Sequence, residues 1–497
     1  MSLIANNYDV TPETISTIWE AIDSIGFIGV DYYPLQIELI TASQMLDYSS
    51  TIGLPVCYDH WAFGKAFLEN EEQYLKGKSR IPYEMVINSN PCIAYLVETN
   101  NMLLNTVVLC HAGVGHNSFF KNNYLFQTWT IADYILDYMK YAKAFIKKCE
   151  VAHGEARVTD LIDKCRSLAA YGVDRCKRNR KSTGKRLEER KKEWAKHFEE
   201  SFDEVTSTIN SKKAKRFYEQ FKLKNQARYP YPEENILYFI EKYSLTLKKW
   251  EKEIVRIIRK TEQYFYPQRL TKLMNEGWAT FVHYEMMSEL YNKGMIDEGN
   301  FLEFLCLQAN LTYTASTPHL HPYLNPYSFG FKIFQEIKRI CVAPTEEDKQ
   351  YFPHMIGKDW KEEVIFAVKH FNDASFIQQY LTPNLIRNLK LFIVEWDFQE
   401  SKDCAFVTHI ATPNEFKNIK NKIVERYKLE QHTPKIEIVS VDWEKTRVLT
   451  LEYTEFNSRE LVPHELRIVM QNLTDLWGGP VKLLQNSTQV SITRPNE

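Results

Sequence analysis

Apolar residues recur along this chain with two different periods. Ile15, Ile18, Trp19 and Ile22 fall three and four apart behind Thr11-Pro12, so the spacing predicts a helix over 11–25. The same reading predicts helices over 36–47 and 59–75, the second with Asp59 as its N-cap. Then the period shortens. Tyr83–Asn88 and Cys92–Val97 read as short strands, and Ser89-Asn90-Pro91 between them is a turn, which predicts a β-hairpin. Helical spacing returns over 99–116, over a long amphipathic stretch at 127–175, and over 233–265 and 271–291. Residues 311–327 are irregular, and a helix starts near Asn325-Pro326 and runs to about 341.

From residue 386 the alternation of strands dominates. Leu389–Trp396, Ala405–Ala411, Lys435–Asp442, Val448–Thr454, Val481–Leu484 and Gln489–Thr493 are separated by helical patterns at Asn414–Tyr427 and His464–Leu476. This ββαββαββ order predicts a sheet covered by two helices. The expected class is therefore α+β. A large, mostly helical domain with a small β-hairpin spans 1–385, and an α+β domain of two ββα-type units spans 386–497. Lys, Arg and Glu dominate 177–225, which reads as a charged helical insertion or linker.

Composition narrows the classes. The 497 residues allow two or three domains. Glycine is scarce, 17 residues or about 3.4% against a usual ~7%, and aromatics reach 13%. That excludes collagen-like, linker-rich and disordered chains and argues against glycine-rich phosphate-binding folds. A net charge of -2 gives no general attraction to nucleic acid or anionic membrane. No apolar stretch approaches the ~18 residues of a membrane span, and Met1–Val10 lacks the pattern of a secretory signal. Nine scattered cysteines without a Cys-x-x-Cys pair read as reduced thiols, so a cytoplasmic location is expected. Gly77-Lys78-Ser79 and Gly113-Val114-Gly115 each fail the phosphate or dinucleotide motif they begin to match.

Two segments concentrate chemistry. In the first, Gly113 and Gly115 lie between His111 and His116. A spacing of five puts these histidines ~140° apart on a regular helix, so convergence requires a distorted turn. In the second, Glu276, Thr280 and His283 share one helix face, with Gly277 beside them. Two histidines and a later glutamate form the ligand set of a His₂Glu zinc site, and the preceding hairpin fits a zincin-like layout. This resembles peptidases whose active-site helix precedes a Glu-Gly-Trp-Ala helix. One difference matters: position 112 is Ala, where those peptidases place the glutamate that acts as general base. Hydrolysis would then need another carboxylate, such as Glu84 or Glu285. Glu84 interrupts an apolar strand, which places its carboxylate at an exposed edge or facing a polar cavity. The competing reading makes His111 and His283 hydrogen-bonded core histidines and Glu276 a buried ion-pair partner.

The chain resembles the SpoVR family, the stage V sporulation protein R-like proteins. The matching blocks run in order: YDHWAFGK at Tyr58–Lys65, YEMVINSNPCIAY at Tyr83–Tyr95, HAGVGHNSFFKNN at His111–Asn123, YGVDRCKR at Tyr171–Arg178 and YFYPQ at Tyr264–Gln268. MNEGWATFVHY at Met274–Tyr284, NPY at Asn325–Tyr327, KRIC at Lys338–Cys341 and DASFIQQYLTPNLIRN at Asp373–Asn388 complete them. Before Asn325 the family has a Gln-Pro-rich stretch, whereas Thr314–Leu324 here contains His319, His321 and Tyr323 instead. The resemblance implies a link to spore cortex formation or stress. It also implies association with a PrkA-like serine kinase and a von Willebrand-type protein. Two functional expectations follow. One is a hydrolase of amide or peptide bonds that holds a divalent metal, zinc by its ligand set, on His111, His116 and Glu276, with Glu84, His283 and Tyr327 as catalytic groups. The other is a scaffold without catalysis that works with the kinase.

Overall fold

The structure is a computed structural model that describes residues 10–176 and 232–494, apart from 28, 52, 79–80, 245, 314–323, 398–403, 410–414, 429–432, 444, 456–460 and 487. The charged segment 177–225 and His319, His321 and Tyr323 lie outside the described residues.

The chain opens with α1 (Pro12–Ile25), capped by Thr11, whose hydroxyl accepts from the Thr14 N–H. The helix expected over 36–47 is replaced by a strand, β1 (Leu35–Ile40), followed by α2 (Ala42–Ser50) behind a Thr41 cap. The period explains the correction: Leu35, Ile37 and Leu39 alternate with Gln36 and Glu38. Helix α3 (Trp61–Leu75) is capped by His60, whose ring nitrogen accepts from the Ala62 N–H, and not by Asp59. Asp59 instead pairs with Lys143 at 2.8 Å. The hairpin forms as expected, β2 (Glu84–Ile87) against β3 (Cys92–Val97), with Glu84 opposite Leu96. β1 joins the other side of β3 in parallel, giving the order β1-β3-β2 with β2 at an edge.

Next come α4 (Met102–Val108), a π-helix (Leu109–His116), α5 (Asn117–Asn122) and α6 (Tyr124–Trp129). The long helical stretch divides at Gly154 into α7 (Ile135–His153) and α8 (Glu155–Ser167). Helices α9 (Ile236–Tyr243), α10 (Lys249–Leu270), α11 (Lys272–Asn292), α12 (Glu298–Leu311) and α13 (Pro326–Val342) follow. Then come α14 (Glu346–Tyr351), α15 (Trp360–His370), α16 (Asp373–Tyr380) and α17 (Pro383–Asn388). The C-terminal elements are β4 (Ile393–Asp397), β5 (Cys404–His409), α18 (Glu415–Arg426), β6 (Lys435–Val441), β7 (Leu449–Thr454), α19 (Pro463–Trp477), β8 (Val481–Gln485) and β9 (Thr488–Thr493). Among the described residues no helix is long and apolar enough to cross a membrane.

Contacts group the chain into two units, residues 1–161 with 261–433, and residues 162–260 with 434–497. The strands after 386 have the expected order but do not make one sheet. β4 and β5 pair with each other, and β6-β7-β8-β9 form a separate four-stranded sheet. Burial explains why α18 leaves the second group. Its stripe of Phe416, Ile419 and Ile423 enters the core of the first unit, with Phe416 against Tyr351. In the second unit, Glu233 bridges to Ile438 on β6, which ties residues upstream of α9 to the four-stranded sheet.

The first unit is built around α11. Trp278 and Phe281 on α11 and Phe334 on α13 are fully buried against one another, and the Trp278 indole N–H donates to Ser118 at 2.9 Å. The helices approach so closely because glycine faces glycine. A Cβ on Gly277 would lie 2.4 Å from the backbone of Gly330.

Candidate metal centre

One π-helix, Leu109–His116, carries both His111 and its last residue, His116. Its hydrogen bonds run from i to i+5, so residues five apart come round to the same side. The two rings sit 4.7 Å apart between centroids. The π-turn gives a spacing of five the geometry that a spacing of four has on an α-helix. Its glycines admit its neighbours. A Cβ on Gly113 would meet the Trp19 ring at 2.5 Å, and one on Gly115 would meet the Ala279 backbone at 2.6 Å.

Glu276 comes from the start of α11. Thr271 precedes this helix but its side chain does not cap it. Asp373 does so from α16, its two oxygens accepting from the Leu273 and Met274 N–H groups at 2.9 Å each. Glu84 arrives from β2. Its Oε1 is 3.5 Å from His111 Nε2, and Glu276 Oε2 is 3.8 Å from His111 Nε2 and 3.6 Å from His116 Nε2. The Glu276 separations are too long for hydrogen bonds. They lie near the ~3.4 Å expected between ligand atoms placed tetrahedrally ~2.1 Å around one ion. Glu84, His111 and His116 meet the mutual spacing of a metal-holding group.

A second layer sets the proton positions. His116 Nδ1 lies 3.0 Å from Asn275 Oδ1, and His283 Nε2 lies 2.6 Å from Gln308 Oε1. An amide oxygen only accepts, so both ring nitrogens donate. His283 Nδ1 is then an acceptor, and His111 Nδ1 donates to it across 2.9 Å. Both His111 and His116 therefore turn an Nε2 lone pair toward the two carboxylates. Glu84 Oε2 and Glu276 Oε2 are buried without a hydrogen-bond partner. Acceptors gathered this way are relieved by a shared proton or by a cation.

The electrostatics agree. Burial pushes the Glu84 carboxyl up to about 7, with His111 pulling it back and Glu276 adding to the rise. Burial holds His116 down at about 4 and His283 at about 3, so both imidazoles are neutral near pH 7. Burial also opposes charge on His111, but Glu84 and Glu276 raise it above its ordinary value. For Glu276 burial acts upward, and His111 and His116 more than reverse it. A proton on His111 and a cation between the Nε2 atoms would relieve the same repulsion.

These groups line one cavity of about 780 Å³, with Tyr327 beside them. The Tyr327 ring stacks near His111 at 6.2 Å, and burial, with Glu276 and Glu84 nearby, keeps its phenol protonated. The six residues expected as ligands or catalytic groups thus line one cavity: Glu84, His111, His116, Glu276, His283 and Tyr327. Thr280 does not join them, because its hydroxyl donates to the Glu276 carbonyl at 2.7 Å. Glu285 is held by Lys338 at 2.7 Å. Asn275 and Gln308 gained no role in the sequence reading. Gln308 did leave a signal, a polar residue following Phe301 and Phe304 on the helix face that is buried.

Comparison with known proteins covers nearly the whole chain. The family described as SpoVR like protein matches residues 9–432, and the SpoVR-like C-terminal domain matches 434–488. Uncharacterized protein YcgB of Escherichia coli (strain K12) is 42% identical over 494 residues, which cover 98% of this chain and 95% of that protein. No solved structure matches the chain. The histidine turn, the glutamate helix and the hairpin that meet at the cavity all lie within the first matched span, and the chain belongs to the SpoVR family.

Proposed function

We propose that this protein is a metal-dependent hydrolase of amide or peptide bonds. The observation that carries the reading is the set of four buried acceptors, two imidazole Nε2 atoms and two carboxylates, converging at ion-ligand spacing on a cavity large enough for substrate. His111, His116 and Glu276 would hold the ion, and zinc suits two imidazoles and a carboxylate. Bound there, the ion would supply Lewis-acid polarisation of a carbonyl and acidify a water.

The remaining groups divide the protein's work. Glu84 takes the proton from the attacking water, which forms a bond to the carbonyl carbon, and returns it to the nitrogen as the C–N bond breaks. The base would then come from the edge strand, because position 112 on the histidine helix is Ala and carries no carboxylate. Tyr327, protonated, donates a hydrogen bond toward the developing oxyanion. His283 fixes the His111 tautomer. The family's association with spore cortex makes cell-wall peptides the first substrates to try.

Metal analysis tests this. Chelator-stripped protein supplemented with zinc and desalted is expected to retain one zinc per chain. His111→Ala and Glu276→Ala should weaken binding about 100-fold or more, while Glu84→Gln keeps the metal and loses hydrolysis of cell-wall peptides by about 100-fold. Wild-type protein that retains no stoichiometric zinc, manganese or iron would falsify the proposal.

A further inference from the structure

The cavity wall has an unusual make-up. Six consecutive residues, Ile81 to Val86, line it. Ile81–Tyr83 lead into β2 with a bend at Tyr83, and Glu84–Val86 belong to the strand, whose side chains point alternately to opposite faces, so these consecutive residues meet one cavity along their backbone edge. β2 provides such an edge. Among the described strands its one partner is β3, so the other edge of β2 has no strand against it. The side chains of its central pair go opposite ways. Met85 packs with the small cluster of Ile40, Met45 and Val97, and Val86 packs on the main core. The cavity therefore runs along a row of backbone N–H and C=O groups, and Glu84 of this row stands 3.5 Å from His111.

We infer that the substrate is an extended peptide, which binds by adding a strand to the free edge of β2. This rests on the hydrolase reading and names the substrate class for the same site. A strand paired to β2 lies ~4.8 Å from it, and the β2 residues that line the cavity, Glu84–Val86, span ~10 Å, enough to pair with about three residues of peptide. Main-chain hydrogen bonds then hold the peptide regardless of sequence, and alternate side chains enter pockets. One side of the wall is apolar. Leu104 and Val107 on α4 and Phe304, Leu307 and Leu311 on α12 also line the cavity, so an apolar side chain is favoured beside the cleaved bond. The backbone edge supplies the amide partners that a peptide needs.

Hydrogen exchange with defined peptides tests this on the full chain loaded with zinc. The probes are capped hexapeptides of alternating Leu and Ser, one unmodified and two N-methylated at alternate residues in opposite registers. The unmodified peptide is expected to slow exchange of amides between 83 and 86 at least fivefold. One N-methylated register should abolish that protection and the other retain it, because only alternate amides of a strand face its neighbour. Equal behaviour of the two registers, protection confined to other segments, or no protection at millimolar peptide overturns the inference. Zinc content measured on the same sample reports the metal reading separately. A chain that binds zinc but shows no register effect loses the strand-addition model alone.

Discussion

At the scale of single residues, the site depends on proton placement as much as on its ligands. Gln308 is the far end of the chain that sets it, accepting from His283, which accepts from His111. Replacing Gln308 by Leu removes the acceptor that fixes the His283 tautomer. His283 then has no reason to keep its Nδ1 lone pair toward His111. Zinc affinity is expected to fall about 10–100-fold, as for other outer partners of metal-bound histidines. A competitive chelator titration measures this, and an unchanged melting temperature separates it from misfolding. Unchanged affinity in a folded variant would remove the relay. Little of this relay was legible beforehand. A glutamine on a buried helix face is a weak sign, and its partner lies 25 residues away.

At the scale of elements, glycine decides how closely the helices approach. Gly115 against Ala279 and Gly277 against Gly330 leave no room for a Cβ. Gly115→Ala and Gly277→Ala are each expected to cost about 1–3 kcal/mol through overpacking, and to weaken zinc binding as α11 shifts from the π-helix. Gly64 supplies the contrast. It lies inside α3 with nothing within 4 Å of its would-be Cβ, so Gly64→Ala should stabilise by up to ~1 kcal/mol. Calorimetric melting of the three variants checks the signs. Similar shifts in all three would show that backbone propensity, not helix approach, is at work. The placing of Gly113, Gly115 and Gly277 beside the site histidines and glutamate was visible in the sequence because glycine is otherwise scarce. The π-turn was not. Whether a carbonyl bonds the fourth or the fifth residue along depends on what packs against the helix, and Trp19 and Ala279 are remote in the chain.

At the scale of the whole molecule, every group of the candidate site belongs to the unit of residues 1–161 and 261–433. Binding that favours one folded unit stabilises that unit, by about 2.7 kcal/mol at a ligand concentration 100 times the dissociation constant. Zinc is therefore expected to slow amide exchange in the core of that unit, around α11 and the π-helix, and to leave β6–β9 unchanged. Exchange mass spectrometry with and without zinc reads this directly. Equal protection of β6–β9 would contradict a site confined to the first unit. The division itself was only partly foreseeable. Strand and helix order after 386 was legible from period alone, but α18 resembles any amphipathic helix until its stripe meets Tyr351 and its neighbours.

By itself, the sequence determined the hairpin, most helices, the family, and the six residue types that meet at the cavity. These follow from short-range rules: periodicity, turn chemistry and the preference of Ser, Thr and Asn for helix starts. Tertiary structure alone decided that Leu35–Ile40 pairs with β3, which lies more than fifty residues on. It also decided that histidines five apart share one side, that Glu84 rather than Glu285 faces them, and that the free edge of β2 borders the site. Each of these depends on which distant surface a segment is packed against, and local spacing carries no record of that.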